Sequence, residues 1–291
     1  MFGEAGTVTE DELFLTAIRE NPRDDTPRLV YADWLDEHDD PRAEWLRIEV
    51  RLKQLVADGR LYGPLAARQG CLERDAEIDR GWLKVVRYQP SWSGGEIRDW
   101  REFYDSLLIH PHGWHETVPK PTASQLEHFE VATGFRLPRS YREYILVFGP
   151  GRLFTDWNIA APGYGGPCDI DLQTIHESLR PTELAEFDRH HEAEHRERVR
   201  RLRYFCLAYK DRYGWDPAEV TDPGAHEYAI YHILEDGRVR RFADSFRGFV
   251  EYLALDMITQ PGWDEDDHRS PLRFGLATRV AEPRAAPDAG R

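Results

Sequence analysis

Apolar positions recur along this chain with a helical period in its first part and with a mixture of helical and strand periods afterwards. Thr9-x-x-Glu12 forms a capping box ahead of Phe14, Ala17 and Ile18, which predicts a first helix. Asn21-Pro22 interrupts it. Thr26 then caps a second helix with Pro27 at its first position, carrying Leu29, Val30, Tyr31, Ala32, Trp34 and Leu35. Asp40-Pro41 restarts the chain, and Trp45, Ile48, Leu52 and Leu55 give a third helix reaching Ala57. After Asp58-Gly59, residues 65–80 carry alternating charges on a fourth helix that ends before Gly81-Trp82-Leu83. Asp33 sits within the apolar run of the second helix. A carboxylate there predicts a local cap or pair, for example with Arg28 or Arg42, rather than a catalytic role.

Residues 89–95 have the Pro, Ser and Gly content of a linker. Trp100, Phe103, Tyr104, Leu107 and Leu108 resume helical spacing, and His110, His112 and His115 fall in an expected surface loop. A second capping box, Thr122-x-x-Gln125, opens a helix that Gly134 ends in the left-handed conformation. Pro138 starts the next, whose Tyr141, Tyr144, Ile145 and Phe148 form one stripe stopped by Gly149-Pro150-Gly151. Phe154–Ile159 reads as a strand, Ile170–Leu172 as a short strand, and Thr174–Leu179 as a brief helix. Tyr204–Tyr209 reads as a buried central strand, and Glu227–Ile233 with Arg238–Phe242 as a hairpin about Glu235-Asp236-Gly237. Asp244 or Ser245 caps a last helix bearing Phe246, Phe249, Val250, Leu253 and Met257. From Gln260 onward, Pro, Gly, Ala and charge predict a mobile tail.

Composition narrows the function. The 291 residues carry a formal net charge of -15, which disfavours direct nucleic-acid binding and is compatible with a basic protein partner. Three separated cysteines (Cys71, Cys168 and Cys206) fit buried thiols in a reducing compartment rather than a disulfide framework. No signal peptide is visible at the N-terminus and no apolar run has the length of a membrane span, so a cytoplasmic protein is expected.

His191-Glu192-Ala193-Glu194-His195 fits H-E-x-x-H, in which two histidines on one helical face share zinc and the glutamate acts as base, with Glu219 downstream as a possible third ligand. The surrounding residues are charged on nearly every face. That predicts a solvated helix laced by pairs such as Glu192 with Arg196 and Glu194 with Arg198, so the zinc-hydrolase reading is kept only as a remote alternative and no metal or cofactor is expected.

Two resemblances organise these observations. Asp24 to Glu37, followed by Asp40 to Arg47, resembles the bacterial repeat-companion domain, a small helical module with no established activity; the likeness is dense across residues 9–57 and extends to about 88. No internal repeat follows it. Leu126-x-x-x-Glu130-x-x-x-Gly134-x-x-Leu137-Pro138-x-x-Tyr141, together with Ala243 to Leu253, resembles the SUKH (Smi/Knr-like) superfamily over roughly residues 96–260. The resemblance implies a non-catalytic α+β fold, a twisted and mainly antiparallel sheet flanked by helices. Bacterial members of the superfamily commonly neutralise toxins, often nucleases, and others are adaptor or regulatory domains.

The expected organisation is therefore a helical module at 1–88, a linker at 89–95, a SUKH-like domain at 96–260 and a tail at 261–291. Asp156, Trp157, Tyr164, Glu227, Tyr231 and Asp244 are the candidate partner contacts: acidic groups to meet a basic surface and aromatics to anchor it. For the aromatics the competing role is core packing, and for Asp244 it is the helix cap.

Overall fold

The computed structural model describes residues 9–55, 59–112, 116–154, 156–164, 171–175, 193–235, 237–259 and 272–279. Five helices come first: α1 Glu10–Glu20, α2 Thr26–Asp36, α3 Arg42–Gln54, α4 Gly59–Asp75 and α5 Arg80–Val86. The Thr9/Glu12 capping box is formed in both directions. Ile18, Tyr31, Leu35, Trp45, Leu46 and Trp82 close one hydrophobic core among these helices. Gly81-Trp82-Leu83 lies inside a helix rather than after one, because the Asp79 carboxylate accepts the Trp82 N–H and starts α5. Asp33 does not pair with Arg28 or Arg42. Its side chain is 74 % exposed and meets Arg47 at 2.9 Å, since α2 turns its Arg28, Tyr31, Ala32 and Leu35 face inward and Asp33 outward.

Arg28 is fully buried. Its Nε donates to Val86 O at 2.7 Å and its Nη1 to Asp24 O at 3.0 Å, while the guanidinium stacks on Tyr88 at 4.0 Å. Tyr88 also donates to Asp25 at 2.6 Å, and its N–H reaches Glu49 at 3.1 Å. The segment expected to be a linker is thus tied down on both sides: Trp92 packs edge-on against Phe103, and the Ile97 N–H meets Glu251 at 2.7 Å. A cleft of about 900 Å³ runs between α3–α4 and the following α6–β1 segment. Lys53 and Arg87 in its wall are each already paired with a carboxylate, Asp25 and Glu73.

The second part holds α6 Trp100–Ser106, β1 Leu108–His112, β2 Glu116–Thr117, α7 Ala123–Thr133, α8 Arg139–Phe148, β3 Gly151–Leu153 and β4 Trp157–Ile159. It continues with α9 Ala193–Arg201, β5 Arg203–Ala208, β6 Asp211–Asp222, β7 Glu227–Ile233, β8 Val239–Ala243, α10 Phe246–Thr259 and β9 Arg273–Arg279. The sheet order is β1-β9-β3-β4-β5-β6-β7-β8, with β2 beside β9; among the described strands only the β1–β9 pair is parallel. This is the expected α+β architecture.

One face of the sheet receives α8 and α10. Tyr141 and Phe246 pack on Trp215 and Phe205, Phe249 on Tyr213, and Phe148 on Phe274. Each fully buried aromatic of this kind contributes about 2–3 kcal/mol through the apolar surface it removes from water. Because side chains alternate along a strand, Gly214 faces the opposite side from Tyr213 and Trp215. A Cβ there would come within 3.2 Å of the Leu202 side chain, so the glycine admits the chain leaving α9 on the second face.

Five stretches differ from the sequence reading. His110 and His112 lie in β1 rather than in a loop; His115 falls outside the described residues. β6 was hidden by Gly214 and Pro217, which depress strand patterning. The expected tail contributes β9, inserted between β1 and β3, and Leu272, Phe274 and Ala277 are buried there. Phe154–Ile159 is not one strand: Phe154 follows the end of β3, and β4 begins only at Trp157. Asp171 makes only an isolated bridge to Ala161, and residues 172–175 are helical.

Candidate functional site

From β3 to β8 neighbouring strands are antiparallel, so alternate connections fall at the same end of the sheet. One end carries the β3–β4, β5–β6 and β7–β8 connections. The other carries the long 160–202 connection, the turn at 223–226 and the entry to α10.

At the first end the β5–β6 turn has only two residues, Tyr209 and Lys210, between the paired Ala208 and Asp211. Tyr209 has φ 57 and is 88 % exposed. Two-residue hairpins use positive φ, a position normally filled by Gly or Asn, since a side chain there costs about 1–2 kcal/mol. Tyr209 therefore combines backbone strain with a large ring presented to solvent, and strain of this sort collects at binding sites. Beside it, Trp157 pairs with Ala208 and is half-buried, and Asp156 is exposed. Lys210 lies 5.7 Å from the Tyr209 ring and forms an ion pair with Glu235. Tyr209 was missed in the sequence because the run Tyr204–Tyr209 reads as one buried strand. Burial ends at the boundary with Lys210-Asp211-Arg212, and that charge step was the available signal.

Beneath this end, His232 is 3 % exposed and stacks on Tyr213 at 4.4 Å, with Phe242 edge-on. Arg240 Nε can only donate, so its 3.1 Å contact makes His232 Nδ1 an acceptor and leaves the proton on Nε2, which faces Asp211 at 2.8 Å. Burial lowers the His232 pKa, Asp211 opposes that shift, and Arg240 adds to it. As pH falls, an unfolded histidine protonates first, near about pH 6.5. The folded protein therefore holds its full stability above that pH and loses part of it as pH drops toward the lower folded pKa. The urea midpoint is expected to fall between pH 7.5 and 5.5 by more in the wild type than in His232→Gln. An equal fall in both would show that other groups control this range.

The remaining candidates lie at the opposite end or in the interior. Glu227 is 6 % exposed, and its carboxylate accepts Ser140 N and Ser140 Oγ at 2.8 Å each and Phe246 N at 3.3 Å. It joins the starts of α8 and α10, which corrects its expected role as a surface acidic contact. Tyr231 is also buried: its hydroxyl donates to Glu219 at 2.7 Å and Arg198 lies over its ring at 4.6 Å. Arg241 links Glu219 at 3.1 Å to the exposed Asp244 at 2.8 Å. The cap of α10 falls to Ser245, whose Oγ accepts the Gly248 N–H at 3.0 Å. Tyr164 is half-buried, with its hydroxyl on Pro119 O and its N–H on Asp171 at 2.9 Å, so it closes its own loop. Of the six candidates, the structure brings Asp156 and Trp157 together at the exposed tips, and links Tyr231 to Asp244 through Glu219 and Arg241.

His191 and Glu192 of the H-E-x-x-H pattern lie outside the described residues, as does the side chain of His195. The helix that follows is not solvated all round. Val199 and the adjoining Leu202 are buried, and Arg201 makes a bidentate pair at 2.6 and 2.7 Å with Asp216, which has no exposed surface. That pairing raises the Arg201 pKa, keeping the guanidinium charged. Arg198 reaches Tyr231 and Asp216, and the side chain of Glu194, its expected partner, lies outside the described residues. Among the described residues no three His, Cys, Asp or Glu side chains are placed to hold a metal, and Glu219 is engaged by Tyr231 and Arg241.

Residues 120–252 match the SMI1 / KNR4 family (SUKH-1). The SUKH-1 region runs from the α7 cap through β8 and the first half of α10, and includes the tip at Tyr209. The five N-terminal helices, α6, β1, β2 and β9 lie outside it, so β1, β2 and β9 extend the sheet beyond the matched region. No curated protein and no solved structure matches the chain. No helix among the described residues is long and apolar enough to cross a membrane.

Proposed function

We propose that this protein acts by binding another protein and is not an enzyme: a cytoplasmic immunity protein that neutralises a toxin of the nuclease type. The SUKH-1 match is the observation that carries the reading, and bacterial proteins resembling that family commonly have this role. The chain's charge of -15 supports a basic toxin domain as the partner, because opposite net charge speeds encounter. The contact face in this reading is the sheet end bearing Asp156, Trp157 and Tyr209. Tyr and Trp are favoured anchors, since each buries a large rigid ring at low entropic cost.

Residues 1–88 in this reading form a repeat-companion-like module. Its separate hydrophobic core favours a second reading, in which the module brings the SUKH-1 domain to another protein as a regulatory scaffold. Capture with the tagged intact chain from its native cell distinguishes the two. Immunity predicts that a toxin is retained and inhibited; retention of non-toxin proteins alone would refute it.

A further inference from the structure

Between Thr9 and Asp40 the chain has eleven carboxylates and three arginines. Within this acidic stretch α1 and α2 run side by side, with Phe14 packed on Tyr31 at 5.0 Å and on Trp34 at 5.5 Å, and the Trp34 indole N–H on Glu10 at 3.0 Å. Glu10 and Leu13 share one face of α1 at a spacing of i, i+3, and Val30, Trp34 and His38 succeed one another at i, i+4 on α2 and its end. The contacts between Glu10, Phe14 and Trp34 bring these two faces together.

The resulting surface is apolar at its centre, with Leu13 59 % and Val30 51 % exposed. Trp34 is half-buried and carries the His38 ring at 4.3 Å. Exposed Asp33 and Glu37 stand at its rim with Glu10; Asp33 shares its charge with Arg47, and the net charge of the rim stays negative. Val30 and Trp34 lie about 8 and 14 Å along α2 from Asp25 at the junction with the second part, taking 1.5 Å per residue. Phe14 and Trp34 pack against the core of the helical module, while Leu13 and Val30 stay outside it.

We propose that this α1–α2 surface docks a lysine- or arginine-bearing amphipathic segment of another protein, independently of the sheet end described above. The rim sets the sign of the partner's charge. The centre requires apolar side chains from it, since exposed Leu13 and Val30 gain only by being covered.

Two synthetic peptides of equal length and identical leucine pattern, one with lysine and the other with glutamate at the polar positions, provide the probe. They are titrated calorimetrically into the intact chain and into a Leu13→Ser/Val30→Ser variant, whose melting temperature is expected to match wild type because both side chains are exposed. The lysine peptide is expected to bind, to weaken with added salt, and to lose about tenfold in affinity in the variant, equivalent to about 1.4 kcal/mol. The glutamate peptide is expected not to bind. Absence of lysine-peptide binding, unchanged affinity in the variant, or equal binding of both peptides would each overturn the proposal.

Discussion

Glu227→Ala is expected to cost about 4 kcal/mol of stability. The carboxylate is the acceptor for Ser140 N, Ser140 Oγ and Phe246 N, and all three contacts are buried. Without it the two backbone donors have no acceptor here, and each buried unmet group costs about 1–3 kcal/mol. The substitution also removes a negative charge from the starts of α8 and α10, where carboxylates contribute about 0.3–1 kcal/mol per helix. Glu227→Gln keeps the shape and one oxygen acceptor but not the charge, so it should cost about 1–2 kcal/mol. Urea unfolding of the three proteins checks the order. Similar midpoints for wild type and Glu227→Ala would mean that the two helix starts are held by something else.

Arg28→Ala is expected to cost about 3 kcal/mol, concentrated in the helical module. Hydrogen bonds from a charged donor contribute about 1.5–3 kcal/mol, and Arg28 directs two short ones to the Val86 and Asp24 carbonyls while stacking on Tyr88. Burial lowers the guanidinium pKa, but an arginine remains charged at neutral pH. Arg28→Lys should recover little, because an ammonium cannot reproduce the planar fork that serves both carbonyls and the ring. Calorimetry and limited proteolysis provide the test: the variant should melt earlier and be cut faster between residues 88 and 99. Unchanged cleavage there would separate Arg28 from the junction.

Much of this fold was legible wherever local chemistry decides structure. The capping boxes at Thr9 and Thr122 formed, Gly134 took the left-handed conformation at φ 65, and Glu227–Ile233 paired with the strand after Gly237. The failures arose where tertiary contact overrides local pattern. β9 is a short segment amid polar sequence, and only its place between β1 and β3 makes it a strand. β6 contains both glycine and proline, yet its neighbours on either side supply pairing. For the candidate surface the sequence located Asp156 and Trp157 but not Tyr209. Knowing that Glu227 and Tyr231 point inward requires the sheet. The same limit applied to the charged helix α9, where Val199 and the buried Asp216 beyond its end reveal an inner face that charge counting concealed.

Tyr209→Gly tests the contact surface most directly, because the account predicts opposite effects on folding and binding. Glycine accepts the positive φ at this turn, so stability should rise by about 1 kcal/mol. The ring is lost, and affinity for the partner captured by the intact wild-type chain should fall at least about tenfold, equivalent to about 1.4 kcal/mol, as expected for an anchor residue. Calorimetric titration of that partner into wild type and Tyr209→Gly, with melting curves of both, is the deciding measurement. A more stable variant with much weaker binding is the predicted result; a more stable variant with wild-type affinity would contradict it.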